Sequence, residues 1–455
     1  MSVIAENIQR EGEGNKVNYR EAMEYIDSIR SYGIVPGLDS ITQLCRILGN
    51  PQDELQFVHI AGTNGKGSTL AYLSTILKEA GYRVGRYVSP TIFEYRERIQ
   101  INGRMISRKA LCEGMEVVRN ACYEMVEKGL PHPTPFEVET ALAFWFFRRE
   151  KCDIVVLETG MGGTYDATNL IRTTQAAVLA SISMDHMQFL GDSLAEIAEQ
   201  KAGIMKEGCD VISAEQAPEA LEVIKRIAKE KGCNLRVADK KWISGIRRGS
   251  GSHLERQRFD YHNDEGVVYK NLEINLAGAV QPENALLALE TVGILQKKGY
   301  IVTEKALRRG LAETVWPGRF SVIARKPLFV VDGAHNEDAA KKLAQSVEFY
   351  FTNKRIIYIM GMLRDKEYEK VIALTEKYAD QIITITPPEN PRALTAYELA
   401  QAIAGVHPNV TAVDSLEEAV EMARLLAGPD DVILSFGSLS YLGKLIKIVE
   451  RQTTW

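Results

Sequence analysis

The apolar positions of this chain change period along its length, and each period predicts an element. From Tyr19, YREAMEYIDSI places Ala22, Met23, Tyr25, Ile26 and Ile29 near helical spacing, and DSITQLCRILGNP repeats the pattern before a Gly-Asn-Pro stop. Two helices are therefore predicted ahead of the apolar run at Phe57–Ala61. GYRVGRYVSP and RIQINGRMIS read as strands, the second turning back at Asn102-Gly103, and FEVETALAFWFFRRE predicts an apolar helix of the core. CDIVVLETG, AAVLASIS, CDVISAE and NLRVA are short, continuous Val/Ile/Leu runs separated by helical stretches, the pattern of a mostly parallel sheet covered on both faces. Residues 250–275 are polar and resemble a small antiparallel patch, and residues 1–16 are polar and expected to be loose.

A break falls at TVWPGRF, Thr314–Phe320, where Pro317-Gly318 interrupts the pattern. Beyond it LFVVDGAHN, RIIYIMGML, QIITITPP, TAVD and VILSFGS are strand candidates alternating with helices, a second and smaller doubly wound unit. The predicted division is 1–313, a linker at 314–319, and 320–455.

Length agrees, since 455 residues exceed one ordinary core. A net charge of -5, from 55 Lys+Arg against 60 Asp+Glu, gives no basic field for nucleic acid, so a small-molecule substrate is expected. The six cysteines are scattered with no C-x-x-C pair and read as free thiols of a reducing cytosol. The N-terminus has no export-type apolar region, and no run reaches the ~18 apolar residues of a membrane helix. The expected location is cytoplasmic, with no membrane partner, and a monomer is expected.

The chemistry begins at FVHIAGTNGKGSTLAYLSTIL, Phe57–Leu77: a strand, a Gly-rich loop with Lys66, then a helix. This is the layout of a phosphate-binding P-loop, although the usual G-x-x-x-x-G-K-[ST] spacing is shortened and Gly67 stands where the hydroxyl should follow Lys66. Glycines let amides turn inward, the helix start supplies N–H donors and a positive dipole end, and Lys66 adds a point charge. The fold class is thus α/β: a P-loop parallel-sheet ATPase domain followed by a smaller Rossmann-like domain. In DIVVLETGMGGTYDATN, Glu158 falls at a strand's carboxyl end, where it either bonds its own loop or holds Mg²⁺. Asp185-His186 follow another strand, a helix is predicted over Ser193–Lys206, and Lys201 sits on it among small and apolar neighbours. On spacing alone His186 reads more readily as a satisfied structural residue than as a ligand, and Lys201 as a solvated one. In the second unit Arg319 could neutralise phosphate and Asp332 accept from a ribose, but Asp332–Asn336 reads equally as a turn.

Taken in order, LGNPQDELQFVHIAGTNGKGS, SPTIFEYRERIQING, TPFEVETALAFWFF, VVLETGMGGTYDATN, SMDHMQFLGDSLAEIAEQKAGIMK, QPENALLALE, WPGRF, DGAHN, PENPRAL and GSLSYLG resemble the folylpolyglutamate synthase and dihydrofolate synthase family, a branch of the Mur ligase superfamily of ATP-dependent amide-forming enzymes. The resemblance runs from about Tyr19 to the end. It implies that Gly62, Thr63, Asn64, Gly65, Lys66, Gly67 and Ser68 hold the ATP phosphates. It implies that Ser89, Glu158 and His186 are Mg²⁺ ligands, and that Lys201 is carbamylated and helps hold a second Mg²⁺. Asn284 would approach adenine, Arg319 the phosphates, Asp332 the ribose and His335 the nucleotide; Lys66, Lys201 and His186 are the implied catalytic groups. The chain departs from the family's usual pattern at Thr91, at Thr164 and Tyr165, and at Val280. The first two departures bear on substrate choice and the third on the adenine contact.

The implied reaction joins L-glutamate to a folate or pteroate carboxylate through an acyl phosphate. Polyglutamylation of tetrahydrofolate is the expected activity, with conversion of dihydropteroate to dihydrofolate a second that the same site could support. The competing readings are a Mur-type ligase acting on a UDP-sugar peptide, a non-catalytic nucleotide-binding module, and an NAD-dependent dehydrogenase, the last disfavoured by Lys66.

Overall fold

Continuous apolar runs become strands buried on both faces, and each strand sends alternate side chains to opposite layers. The computed structural model of the protein describes residues 17–33, 35–249 and 253–453. Its first strands are β1 (Phe57–Ala61), β2 (Val84–Tyr87), β3 (Ile99–Ile101), β4 (Arg104–Met105), β5 (Ile154–Glu158), β6 (Thr174–Leu179), β7 (Asp210–Ala214) and β8 (Asn234–Ala238). They form one sheet ordered β4-β3-β2-β5-β1-β6-β7-β8, parallel except at the β4-β3-β2 edge. The predicted turn at Asn102-Gly103 closes that edge hairpin, both residues at positive φ.

Alternation decides the layers. Val155 and Leu157 of β5 join the core beneath helices Tyr19–Ser28, Asp39–Ile47, Arg108–Glu127 and Pro135–Arg149. Ile154 and Val156 face the other way, into the core beneath the P-loop helix Lys66–Glu79 and helices Gln281–Lys297 and Glu304–Glu313. Lys66–Glu79 and Gln281–Lys297 are buried nearly all round, as helices caught between a sheet and other elements must be. Both predicted leading helices form; a capping box between Asn18 and Glu21 starts the first.

Two expectations change. The antiparallel patch starts earlier than predicted, with β9 (Ile243–Arg248), β10 (Gln257–His262) and β11 (Val268–Ile274) ordered β11-β10-β9. Positions 1–16 and 250–252 lie outside the described residues. The helix predicted over Ser193–Lys206 spans only Leu194–Ala202. From Gly203 to Met205 the amides bond carbonyls three residues back, which tightens the chain out of the α-helix.

The second sheet contains β12 (Ser321–Arg325), β13 (Leu328–Val331), β14 (Ile356–Met360), β15 (Gln381–Thr384), β16 (Val410–Ala412) and β17 (Val432–Phe436), ordered β12-β13-β17-β14-β15-β16. All but β12 were predicted. That strand pairs antiparallel with β13, and its SVIAR run was masked between Pro317-Gly318 and Pro327. Among the described residues no helix is long and apolar enough to cross a membrane.

Register positions the site. β2, β5, β1 and β6 are neighbours, with Tyr87 opposite Leu157, Ile60 opposite Glu158 and Ala61 opposite Leu179. Their carboxyl ends therefore leave the sheet side by side, where open α/β sheets bind ligands. Ser89, Glu158, the P-loop and His186 all follow from those ends.

Candidate active site

The P-loop is built by close approach. Gly62 has φ 151°, and a Cβ there would lie 2.8 Å from the Ala180 Cβ; Gly65 has φ 88°, and a Cβ there would meet Asn284 Oδ1 at 2.5 Å. Larger residues could not adopt this path. Thr63 and Asn64 both donate their amides to the Ser181 carbonyl, which ties the loop to the chain leaving β6. The helix then starts at Lys66, and its first amides remain for a ligand.

Two lysines converge on this loop. Lys66 Nζ donates to the carbonyls of Gly62 (3.1 Å) and Thr63 (3.3 Å) and lies 3.9 Å from Glu158 Oε1. Lys201 Nζ donates to the same Gly62 carbonyl at 3.0 Å and is 4% exposed. Burial, reinforced by the Lys66 charge, lowers the Lys201 pKa to about 7, so near neutrality a large share of this amine carries no proton. Burial raises the Glu158 pKa while Lys66 opposes the rise, and the Ser89 amide donates to its Oε2 at 3.3 Å. His186 begins a short turn at φ 52° with its side chain partly open to solvent; partial desolvation and the charges of Lys366, Lys201 and Lys66 lower its pKa to about 4 against the pull of Asp185.

These donors fit magnesium. Glu158 offers a hard, buried carboxylate, and a Lys201 carbamate, which needs the unprotonated amine, would be an anionic oxygen ligand. Among the described residues no three His, Cys, Asp or Glu side chains cluster as a metal site. Mg²⁺ commonly takes one or two protein carboxylates and completes its shell with phosphate oxygens and water, which this sparse set permits.

A cavity opens between the P-loop and the second sheet's unit. It is lined by Asn64, Gly65, Gly67 and Ser68 of the P-loop, by Gly278, Val280, Gln281 and Asn284, and by Arg319, Phe320, Asp332, Ala334 and Lys342. The predicted Asn284, Arg319 and Asp332 are thus brought to the P-loop. Gln281 joins them, donating to Ser68 Oγ at 3.4 Å and accepting from Asn284 Nδ2 at 3.2 Å. Val280 lines the same cavity with no polar side chain to offer a base. Asp332 also fastens its loop, accepting from the Phe320 and Ala334 amides at 2.7 and 2.8 Å. His335 does not line the cavity; its Nε2 lies 3.8 Å from Asp185.

Several contacting residues lacked a sequence signal. Asn64 Nδ2 donates to Asp338 (2.8 Å), Lys342 Nζ to Ser181 Oγ (2.8 Å), and Lys366 Nζ to Asp185 (2.7 Å). Burial pushes the Asp185 pKa up, but His335 and Lys366 override it and hold the carboxyl well below the usual range. Lys366 follows β14, so the strand-end rule that found Glu158 could have found it. A second cavity, at β8, is lined by Arg236, Trp242, Asp264 and Lys297, and its charges largely pair with one another or with Glu265 and Glu290.

A P-loop sheet and a second α/β unit that share one cavity form the architecture of a nucleotide-using enzyme, the class to which ATP-dependent ligases belong. Residues 60–292 match the Mur ligase middle domain and residues 318–439 the Mur ligase glutamate ligase domain. The chain belongs to the Mur ligase family, in its dihydrofolate synthase/folylpolyglutamate synthase branch. It is 33% identical to the Bacillus subtilis dihydrofolate synthase/folylpolyglutamate synthase over 94% of this chain and 98% of that protein. The Mycobacterium tuberculosis folylpolyglutamate synthase complexed with ADP and AMPPCP is similar in structure, with a TM-score of 0.85 at 28% identity over 96% of this chain and 99% of that one. The Escherichia coli FolC structure with DHPP and ADP gives a TM-score of 0.84 at 29% identity over 96% and 98% of the two chains.

Proposed function

We propose that this protein joins L-glutamate to the carboxylate of a folate, and also of a pteroate, using ATP. The observation that carries this reading is the meeting of Lys66 and Lys201 on the Gly62 carbonyl of the P-loop, with Glu158 beside Lys66. A carboxylate is a poor electrophile. One of its oxygens attacks the γ-phosphorus, the bond from that phosphorus to the β–γ bridging oxygen breaks, and ADP leaves. The glutamate amine then attacks the acyl carbon, loses a proton, and phosphate departs.

The P-loop amides and Lys66 hold the phosphates and offset charge on the transferring oxygens. Asn284 and Asp332 orient the nucleoside, with His335 at the nucleotide's edge, and Arg319 approaches the phosphates from the end of the linker. Ser89, Glu158 and His186 would hold magnesium, and a Lys201 carbamate would help hold a second ion. When bound, these ions supply positive charge against the reacting phosphoryl group. The working division is a first domain to 313, a linker at 314–319 and a second domain from 320, acting as a cytoplasmic monomer.

Glutamate-dependent ADP release, measured with dihydropteroate and with tetrahydrofolate, tests the reading. Release is expected with tetrahydrofolate and with dihydropteroate. Release with a UDP-sugar peptide but with neither pterin would overturn it.

A further inference from the structure

The chain leaving β6 presents Ser181, Ser183 and Asp185, two residues apart, toward the N-terminal end of helix Glu337–Tyr350 of the second domain. Ser181 Oγ accepts from Lys342 Nζ, and Asp185 accepts from Asn336 Nδ2 at 3.0 Å. Asn64 stands between them: its Nδ2 reaches Ser183 Oγ (3.4 Å), Asn336 Oδ1 (3.3 Å) and Asp338 Oδ2 (2.8 Å). A side chain of the phosphate loop is therefore gripped by the other domain. The grip has an electrostatic cost, because a carboxylate within hydrogen-bond distance of a P-loop residue repels the phosphates that the loop exists to hold. Lys342 answers it. Its Nζ lies 2.7 Å from the same Asp338 Oδ2, one helical turn on, and the side chain lines the nucleotide cavity.

We propose that Lys342 is a positioning residue for the nucleotide: its ammonium cancels the Asp338 charge, so that Asp338 can hold Asn64 and lock the second domain to the P-loop without expelling phosphate. This rests on the ATP-dependent reading above. It requires no direct contact between Lys342 and the nucleotide. The pair is about three-quarters buried on each side, so salt screens it only in part.

Calorimetric titration of the full-length protein with ADP in the presence of MgCl₂ tests the pair independently of any folate chemistry. Lys342→Met should weaken ADP by about tenfold at low ionic strength, the order expected of one uncompensated, partly solvated charge, and the deficit should shrink in high salt. Lys342→Arg should keep the affinity of the unaltered protein, and Asp338→Asn combined with Lys342→Met should recover most of the loss. In turnover assays Lys342→Met should raise the KM for ATP far more than it lowers kcat. An Lys342→Met protein that binds ADP normally overturns the proposal. So does a double variant as weak as Lys342→Met, because the lysine would then act by touching the nucleotide or by packing. Unaltered protein that binds no ADP overturns the ATP-dependent reading and this inference with it.

Discussion

At Lys201 the surroundings convert a common residue into a reactive one. It shares a carbonyl with Lys66 inside the fold, and burial lowers its pKa to about 7, the condition that the proposed carbamate requires. Lys201→Ala should lower turnover by orders of magnitude, and added short carboxylic acids should partly restore it; full activity in that variant removes the carbamate from the mechanism. The same shift sets a stability effect whose sign can be worked out. In the unfolded chain a lysine stays protonated to about pH 10.4, whereas in the fold this one loses its proton near 7. Between those values the unfolded state binds more protons, so stability rises with pH across the window, and below it the whole penalty is felt. In CO₂-depleted buffer at pH 6 to 7, Lys201→Met should therefore be more stable than the unaltered protein by up to a few kcal/mol, and melt at a higher temperature. The gap should close by about pH 10. Thermal melts across that range check both statements. The carbamate was expected from the family resemblance alone; the burial and the contact with Gly62, 139 positions away in the chain, were not legible from the residue's local neighbours.

Elements explain why the Gly-rich segments are spaced as they are. The glycines at 160, 162 and 163 fit no standard nucleotide fingerprint, and the sequence alone left their use open. In the fold Gly163 faces the end of helix Leu194–Ala202: a Cβ there would lie 2.6 Å from the Gln200 carbonyl and 2.8 Å from that of Lys201. Thr164, one of the departures from the family pattern, seals the same junction by donating its amide and hydroxyl to Gln200 O. Asp166 closes the loop from behind through the amides of Met161 and Thr168. The glycine thus sets the depth of the helix that carries Lys201. Gly163→Ala should cost ~1–3 kcal/mol by overpacking and lower turnover by at least about tenfold, because the helix end must retreat from Gly62. Gly293→Ala is the contrast: it lies within Gln281–Lys297 with open space where its Cβ would be, and should be neutral or stabilising by ~1 kcal/mol. Equal effects from the two substitutions would refute the argument. Strands and helices were largely legible because their periods are local. The helix end at Ala202 and strand β12 were not, because a contact with the Thr164 loop and a pairing with β13 decide them.

For the whole molecule, the two domains meet through contacts of opposite character. At the phosphate side they are polar: Asn64 with Asp338, Ser181 with Lys342, and Asp185 with Lys366. Beside the linker they are apolar. Ile92 and Phe93, just after Ser89, leave the first domain and pack into the second domain's core with Leu439 and Leu442, while Lys447 covers the Phe93 ring. Apolar contact resists separation and polar contact trades readily with solvent, so opening should swing about the Ile92–Phe93 peg and the Thr314–Phe320 linker while the polar side parts. Small-angle scattering should then show compaction when an ATP analogue, a folate and Mg²⁺ are added together. Gly443 tests the pivot directly. It lies in helix Leu439–Thr453, and a Cβ there would stand 2.0 Å from the Ile92 carbonyl oxygen. In isolation alanine favours that helix over glycine by ~1 kcal/mol, so Gly443→Ala should leave the second domain's folding intact or improved. The peg, however, cannot seat. The expected result is reduced compaction on adding ligands and a fall in kcat, with ADP affinity changed less than turnover and no drop in melting temperature. Normal compaction and turnover in Gly443→Ala would mean that closure does not pivot at this contact.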